Sequence, residues 1–165
     1  MNVLDFRFSL ADPETPEDAL GRSCPEAYPA LLPRSREGAI PAGLVVSGDN
    51  SIRYALAETL LLCGVAPMFA TSVEQAIGDI VTGQHSFILC QDTLRDGKYE
   101  DLLHVQRAVR CSLPLIVISP TGDWPEYFQA VDRGAYDFLA YPLIPGELQR
   151  IIRNFLNERA VSQSA

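Results

Sequence analysis

The most informative stretch of this chain is GAYDFLAYP, which spans residues 134–142. Its apolar centre, from Phe138 to Ala140, has the length and composition of a strand buried in a parallel sheet. Gly134 comes shortly before it, and glycine commonly follows the last turn of a helix because it tolerates the left-handed conformation. The stretch therefore predicts the end of a helix, a short connection and a buried strand.

The same alternation of strand and helix signals extends over the chain from residue 43. Short apolar runs predict strands at residues 44–46, 67–70, 87–90, 115–118 and 138–140. Apolar residues at helical spacing predict helices at residues 51–63, 72–82, 100–109, 125–133 and 147–156. Five strand–helix units with short connections indicate an α/β fold, in which helices on right-handed crossovers cover both faces of a parallel sheet.

Composition predicts a soluble globular protein and disfavours several other classes. The net charge of −8 argues against a nucleic-acid surface, which needs clustered Lys and Arg. The cysteines form no C-x-x-C pair, so we expect reduced thiols and no zinc site. They are Cys24, Cys63, Cys90 and Cys111. Since neither a signal peptide nor an apolar run of about 20 residues is found, we expect a cytoplasmic protein without a membrane span.

Residues 1–42 differ in composition from the rest of the chain, since six of the twelve prolines fall within them. Most of this extension is expected to be irregular, because it buries too little apolar surface to offset the entropy of ordering. Residues 3–10 are an exception, since apolar and polar side chains alternate there with the period of a half-buried strand. The apolar positions are Leu4, Phe6, Phe8 and Leu10. They predict a docking element that pairs with an open edge of the sheet, in this molecule or a neighbour.

Four stretches of the chain resemble the motifs of bacterial response-regulator receiver domains. They are residues 44–53, 94–97, 114–119 and 134–142. The resemblance covers about residues 43–158, which we take as the predicted domain, and leaves residues 159–165 as a C-terminal tail. It implies the flavodoxin-like, CheY-like doubly wound fold with strand order 2-1-3-4-5. It also implies a role in the phosphorelay signal transduction of a two-component system.

The site positions that the resemblance assigns lack most of the family's charged residues. A lysine that contacts the phosphoryl group normally precedes the proline of the fifth-strand motif, and this chain has Tyr141 there. Ser47 and Gly48 replace two adjacent acidic residues that help bind Mg²⁺, and Asp49 follows one step later. Lys98, the single lysine of the chain, lies in a different loop. The resemblance therefore implies a degenerate site, because a magnesium site needs carboxylates to compete with water.

The position of the phosphoryl acceptor falls on Gln91, counted back from the loop that begins at Leu94. A glutamine amide offers no anionic oxygen nucleophile to a phosphoryl group. Asp92 lies one residue beyond, and a slip of one residue would restore an acceptor. Because adjacent strand residues point in opposite directions, we expect Asp92 to face away from the crevice unless the strand ends early.

Two further positions match residues that respond to phosphorylation in the family. Ser119 matches the hydroxyl that senses the phosphoryl group, and Phe138 matches the aromatic residue whose rotation is coupled to it. Phosphoryl transfer depends mostly on positioning and on charge neutralisation by metal and cation. Loss of the acid pair, the acceptor and the lysine on a preserved scaffold therefore predicts a pseudo-receiver, retained for binding.

We expect a stand-alone signalling module that is not an enzyme and acts by protein–protein interaction, independently of phosphorylation. The resemblance implies docking through the fourth helix, fifth strand and fifth helix. The predicted signalling surface consists of Trp124, Tyr127, Phe138, Tyr141 and Pro142. Phe128 lies beside it, and we expect that ring in the core. Few residues follow the fifth helix, so output is expected through a histidine kinase, a transcription factor, another receiver or a homodimer.

The sequence leaves two alternatives open. In the first, Asp92 accepts the phosphoryl group, and Asp49 and Asp96 surround Mg²⁺; otherwise no cofactor is expected. In the second, a crevice on the sheet binds a small molecule. That crevice is formed by Ser47, Gly48, Gln91 and Ser119. The second alternative has no glycine-rich phosphate loop in its favour, and His85 and His104 are expected to lie away from the crevice.

Overall fold

The computed structural model describes residues 40–83, 85–144 and 146–163. The predicted extension, apart from its last three residues, and the alternating segment at residues 3–10 lie outside this part of the chain. The elements follow in the order β1 (Ala42–Val46), α1 (Asn50–Leu62), β2 (Ala66–Ala70), α2 (Val73–Thr82), β3 (Phe87–Gln91), β4 (Thr93–Leu94), β5 (Gly97–Lys98), α3 (Tyr99–Ala108), β6 (Leu115–Ser119), α4 (Trp124–Asp132), β7 (Asp137–Ala140) and α5 (Glu147–Gln163). Every strand and helix predicted from residue 43 onward is present.

The five longer strands form one sheet in the order β2-β1-β3-β6-β7. All four neighbouring pairs are parallel. Because β6 and β7 are the fourth and fifth predicted strands, this order confirms the predicted α/β fold and its 2-1-3-4-5 topology. The carboxyl ends of β1, β3, β6 and β7 therefore meet at one end of the sheet, where doubly wound folds carry their sites.

Alternate residues of the central strands face two apolar layers, one on each side of the sheet. On one side Leu44 and Val117 pack with residues of α2, α3 and α4. On the other side Val45 and Ile116 pack with residues of α1 and α5. Burial of both faces explains why these strands are continuous apolar runs rather than alternating ones.

Helix α2 begins and ends where its sequence predicts. The Ser72 hydroxyl accepts the N–H of Gln75 at 3.1 Å and so caps the helix. The Gln75 side chain accepts the N–H of Thr71 at 3.0 Å, one residue earlier than an ideal capping box. Gly83 ends the helix in the left-handed conformation, with φ of 70°.

A hairpin between β3 and α3 was not predicted. It pairs Thr93 with Lys98 and Leu94 with Gly97, in antiparallel fashion. Two-residue strands are too short to show a period in sequence. Gly97 is required there by close packing, since an added Cβ would lie 2.4 Å from the carboxylate of Asp101.

Helix α5 runs to Gln163, well past its predicted end at Leu156. The predicted C-terminal tail, residues 159–165, was therefore wrong over its described part. No glycine or proline follows Gly146 in the sequence, so nothing stops the helix at Leu156. Arg159 donates to the carbonyl oxygen of Ser86 at 3.4 Å, a contact that ties the added turns to the rest of the domain. No helix in the described part of the chain is long and apolar enough to cross a membrane.

Candidate functional site

The predicted site positions gather at the carboxyl end of the sheet. Val46 is opposite Cys90 in the β1–β3 pairing, and Ser119 is opposite Ala140 in the β6–β7 pairing. The residues that follow or end these strands are Ser47, Gln91, Asp92, Ser119 and Tyr141. They do not form one cluster, since hydrogen bonds divide them into two separate groups.

The first group joins Ser47 to Gln91. The hydroxyl of Ser47 donates to Oε1 of Gln91 at 2.8 Å and accepts the backbone N–H of Asp49 at 3.1 Å. Ser47 is fully buried and Gln91 is half-buried. The two positions where the family carries acidic residues are thus a neutral, mutually satisfied pair, with no lone carboxylate for a metal ion.

Asp49 caps helix α1 rather than pointing into this group. Its Oδ1 accepts the N–H of Ser51 at 2.7 Å and of Ile52 at 3.3 Å. A carboxylate at this point also complements the positive end of the helix dipole. Arg53, on the same turn, donates to the carbonyl oxygen of Ser47 at 2.6 Å. The one acidic residue near the family's acid pair is therefore held by its own helix.

The second group joins Asp92 to Ser119. Oδ2 of Asp92 accepts the hydroxyl of Ser119 at 2.8 Å, and Oδ1 accepts the N–H of Thr93 at 2.6 Å. Asp92 was expected to face away from the crevice unless the strand ended before it, and that exception applies here. Strand β3 ends at Gln91, so Asp92 lies just beyond it, where its backbone N–H still bonds Ile118 at 2.9 Å. This places its carboxylate beside Ser119, apart from the Ser47–Gln91 pair.

Two residues that were not singled out from the sequence complete this group. Thr121 lies with its hydroxyl 3.0 Å from that of Ser119, and it donates to Oε2 of Glu126 at 3.0 Å. Ser119 is fully buried, and its hydroxyl also lies 3.3 Å from Oε2 of Glu126. A hydroxyl has one hydrogen to donate, and the shorter contact assigns it to Asp92. The network therefore links the ends of β3 and β6 to the first turn of α4.

Tyr141 occupies the position of the family's lysine, and its ring carries no positive charge at neutral pH. The side chain is half-buried against the apolar layer of α1 and α5. Its backbone N–H donates to the carbonyl oxygen of Ser119 at 2.8 Å, which continues the β6–β7 ladder. Lys98 is exposed in the β4–β5 hairpin, where it precedes α3. Neither residue supplies a cation at this end of the sheet.

The alternative magnesium site is not assembled. Asp96 accepts the N–H of Val73 at 2.9 Å and of Glu74 at 3.0 Å, so it caps α2 while Asp49 caps α1. Within residues 40–83, 85–144 and 146–163, no three His, Cys, Asp or Glu side chains are grouped to hold a metal ion. Since Ser47 and Gln91 are neutral and bonded to each other, these donors do not fit Mg²⁺.

The cap formed by Asp96 should be visible in stability measurements. Burial alone would raise the pKa of Asp96, but the backbone N–H groups of Glu74, Val73 and Asp96 and the charge of Arg95 together outweigh it and hold the pKa below its ordinary value. Because the pKa of Asp96 is lowered by folding, its ionised form stabilises the folded state at pH values above the ordinary pKa. This stabilisation is lost as the pH falls through the lowered pKa. We expect Asp96→Asn to reduce the free energy of unfolding by about 1 kcal/mol at pH 7, because the amide has no charge and offers one acceptor oxygen in place of two.

Urea unfolding at two pH values tests this cap. The difference between Asp96→Asn and the natural chain should shrink in acid, once Asp96 is protonated in both states. Asp132→Asn is the control, because Asp132 is an exposed carboxylate in the last turn of α4, where a negative charge is not favoured. An Asp96→Asn variant as stable as the Asp132→Asn variant at pH 7 would contradict the cap's contribution.

Aromatic residues of α4 form a cluster that runs from the core to the surface. The ring of Phe138 is buried and meets Tyr127 edge-on at 6.3 Å between centroids. Tyr127 in turn lies 6.1 Å from Trp124 and 5.5 Å from Phe128. Trp124 is 75% exposed and Phe128 is 64% exposed, whereas Ala130 is buried in the core.

Two predictions about this surface were wrong. Phe128, expected in the core, is exposed, because Tyr127 and Ala130 occupy the side of α4 that faces the sheet. Phe138, expected on the signalling surface, is buried in β7 and supports the surface from below through Tyr127. Of the other predicted members, Trp124 and Pro142 are exposed, and Tyr127 and Tyr141 are half-buried.

Comparison with known proteins gives curated relatives that match part of their own length. No protein-family profile matches the chain. The chain is 30% identical over 125 residues to the C4-dicarboxylate transport transcriptional regulatory protein DctD of Rhizobium meliloti strain 1021. The match covers 73% of this chain and 26% of that protein, so the chain spans about a quarter of the relative's length.

Solved receiver domains are similar to this chain over nearly their whole length. The receiver domain of Francisella response regulator 1452 gives a TM-score of 0.66 at 19% identity, covering 72% of this chain and 98% of that one. The beryllofluoride-activated NtrC4 receiver domain dimer gives a TM-score of 0.65 at 24% identity, covering 71% and 97%. At these identities the solved structures establish a shared fold.

Proposed function

We propose that the chain is a response-regulator receiver domain of a two-component system and that it signals through protein–protein contacts without being phosphorylated. The observation that carries this proposal is the hydrogen bond between Ser47 and Gln91, 2.8 Å long, at the positions of the metal-binding acids and the acceptor. A phosphoryl acceptor must present an anionic or activated oxygen, and an amide does neither. The domain is proposed to act as a binding module and not as an enzyme.

The charges that normally stabilise phosphoryl transfer are missing around the same pair. In phosphoryl transfer, a metal ion and a cation stabilise the transition state by neutralising the charge of the transferred group. Tyr141 offers a phenol in place of the cation, and Gly48 offers no side chain at all. Because the acidic residues and the cation are missing together, no remaining charge can take over their task. The loss of phosphorylation is therefore proposed to be complete rather than partial.

The proposed output surface is the face of α4, β7 and α5, with its aromatic cluster at the start of α4. Exposed aromatic side chains are enriched among residues that dominate binding energy at interfaces. Trp124 and Phe128 fit that description, and Tyr127 with Phe138 beneath them fixes their position. The partner is proposed to be a histidine kinase, a transcription factor or a second receiver. One neighbour, the NtrC4 receiver, is described as a dimer.

A second candidate function is a working receiver that uses Asp92. The contact between Asp92 and the hydroxyl of Ser119, at 2.8 Å, favours it, since that hydroxyl matches the family's sensing residue. Against it, both oxygens of Asp92 already accept hydrogen bonds, from Ser119 and Thr93. These hydrogen bonds favour the ionised form and make both oxygens weaker nucleophiles, and no group of carboxylates in the described part of the chain is placed to hold Mg²⁺ beside them. The first candidate is therefore preferred.

Intact-mass measurement separates the two candidates. The full chain incubated with acetyl phosphate and Mg²⁺ is expected to keep its mass, because no acceptor carboxylate is positioned with a metal ion. A phosphorylatable receiver treated in parallel serves as the positive control. A stoichiometric mass gain that disappears in Asp92→Asn would contradict the proposal and establish Asp92 as the acceptor. A gain that persists in Asp92→Asn would place the acceptor elsewhere and contradict both candidates.

A further inference from the structure

Strand β2 is an edge of the sheet with free backbone groups. In the described part of the chain it pairs with β1 on one side and with no strand on the other. The N–H of Ala66 donates to Pro41 at 2.8 Å, and the carbonyl of Ala70 accepts from Ser47 at 3.0 Å, so these positions face β1. By alternation Met68 also faces β1, while Phe69 directs its N–H and C=O outward. The edge therefore offers hydrogen-bonding groups to an added strand.

The side chains of this edge are apolar on both faces. β2 reads APMFA and contains no charged residue, so in place of a charge the edge has Pro67, which removes one outward N–H and leaves that of Phe69 free. Met68 is 43% exposed and Phe69 is 45% exposed, and successive strand residues lie on opposite faces. Helix α1, which packs against β2, ends with the exposed Leu61 and Leu62. Water contact with so much apolar surface is unfavourable, so a covering segment would stabilise this edge.

The other edge of the sheet offers less. Strand β7 reads DFLA, with Phe138 and Leu139 buried. Its remaining residues, Asp137 and Ala140, present a charge and a methyl group. An added apolar strand would therefore bury more apolar surface against β2 than against β7.

The chain itself supplies a matching segment close by. The described part begins at Ile40, and the carbonyl of the next residue, Pro41, is already bonded to the first residue of β2. The described part of the chain thus begins beside β2. About 30 residues separate Leu10 from this point, and a flexible chain of that length spans about 30 Å, more than the ~17 Å of a five-residue strand.

We propose that residues 4–10 add to the outer edge of β2 as a sixth strand of the same molecule. These residues lie outside the described part, and their alternation puts four apolar side chains on one side of an extended segment. In the docked state Phe69 exchanges backbone hydrogen bonds with the added strand, and the apolar side covers the exposed side chains of one face of β2. The edge lies across the sheet from α4, so the inference stands independently of the proposed function.

Amide hydrogen exchange of the full chain, followed by NMR, tests this docking. The N–H of Phe69 points outward, so it is protected only if a strand is added, whereas the N–H of Met68 faces β1 in either case. We expect Phe69 to exchange at least about tenfold faster in the Phe6→Ser, Phe8→Ser double variant than in the natural chain. Met68 should be unchanged, which shows that the domain stays folded. The control is Arg7→Ser, a change on the polar side of the segment.

Three results would overturn the proposal. The first is an unprotected Phe69 amide in the natural chain. The second is a protected amide that does not respond to the double variant. The third is protection that increases with protein concentration, which would assign the edge to a second copy of the chain.

Discussion

A variant that carries the family's residues at the four altered site positions is expected to bind Mg²⁺ at least about 100-fold more tightly than the natural chain, a gain of about 2.8 kcal/mol. The substitutions are Ser47→Asp, Gly48→Asp, Gln91→Asp and Tyr141→Lys. The reason is electrostatic, since three carboxylates would replace a hydroxyl, a hydrogen atom and an amide at the ends of β1 and β3. Carboxylate oxygens are what a hard cation requires to replace its water ligands.

The structure has room for these side chains. An added Cβ at Gly48 would have its nearest neighbour, the carbonyl oxygen of Thr71, at 4.0 Å. Ser47 and Gln91 already approach within 2.8 Å, so carboxylates at these positions would lie close together. Without metal, their mutual repulsion should lower the stability of the variant and raise the pKa of at least one of them. Added Mg²⁺ should therefore raise the melting temperature of the variant and leave that of the natural chain unchanged.

Calorimetry measures the affinity, and Asp92 provides the control. If Gln91 occupies the acceptor position, Asp92→Asn in the background of the four substitutions should leave the Mg²⁺ affinity nearly unchanged. Loss of binding in that variant would mean that Asp92 is the ligand and that the assignment is one residue out of register. A folded variant with four substitutions and no metal affinity would show that these positions do not form the family's site.

The fold could be predicted because its signals are local. Strands such as β6, buried on both faces, are continuous apolar runs, and helices such as α2 carry their own start and stop residues. The β4–β5 hairpin could not be predicted, since four paired residues show no period. The end of α5 at Gln163 was missed for a different reason. No breaker occurs after Gly146, and the buried apolar face that defined the predicted helix ends at Phe155, well before the helix does.

The site was predictable only where it follows the strand register. Ser47 and Gln91 were placed together because they end neighbouring parallel strands, and the structure brings them to 2.8 Å. The neighbours of Asp92 depend on where β3 stops, because alternation no longer applies beyond the last strand residue. Glu126 contacts Ser119 because of the path that the loop before α4 takes, which the sequence does not reveal. Glutamate is common in the first turn of helices, so its presence there does not predict this contact.

The position of α4 connects this network to the proposed output. Glu126 lies in the first turn of α4, and it is bonded to Thr121 beside the Ser119–Asp92 pair. The start of the helix is thereby held by carboxylates of the chain itself, with no phosphoryl group involved. Trp124 begins the same turn, so the exposed aromatic cluster has a fixed base on which a partner can bind.

Trp124→Ala and Phe128→Ala are each expected to weaken partner binding by about 2 kcal/mol or more, which is roughly 30-fold in Kd. Each substitution removes a large exposed ring that stacks on Tyr127, and a buried aromatic ring contributes about 150–250 Å² of contact. Because both rings are exposed in the free domain, the free energy of unfolding should change by less than about 1 kcal/mol. The partner is first identified by capture from a native lysate, and its affinity is then measured with purified proteins by calorimetry.

Tyr54→Ala is the matched control, since Tyr54 is an aromatic residue of α1 with 78% of its surface exposed. It should leave the affinity within about twofold of that of the natural chain, because α1 lies on the side of the sheet away from α4. Acetyl phosphate should change none of these affinities, since binding is proposed to be independent of phosphorylation. Unchanged affinity in Trp124→Ala and Phe128→Ala, together with a loss in Tyr54→Ala, would move the interface to α1 and contradict the assignment to α4. Loss of affinity in all three variants alike would also contradict it, because a surface made of α4, β7 and α5 leaves Tyr54 of α1 outside the contact.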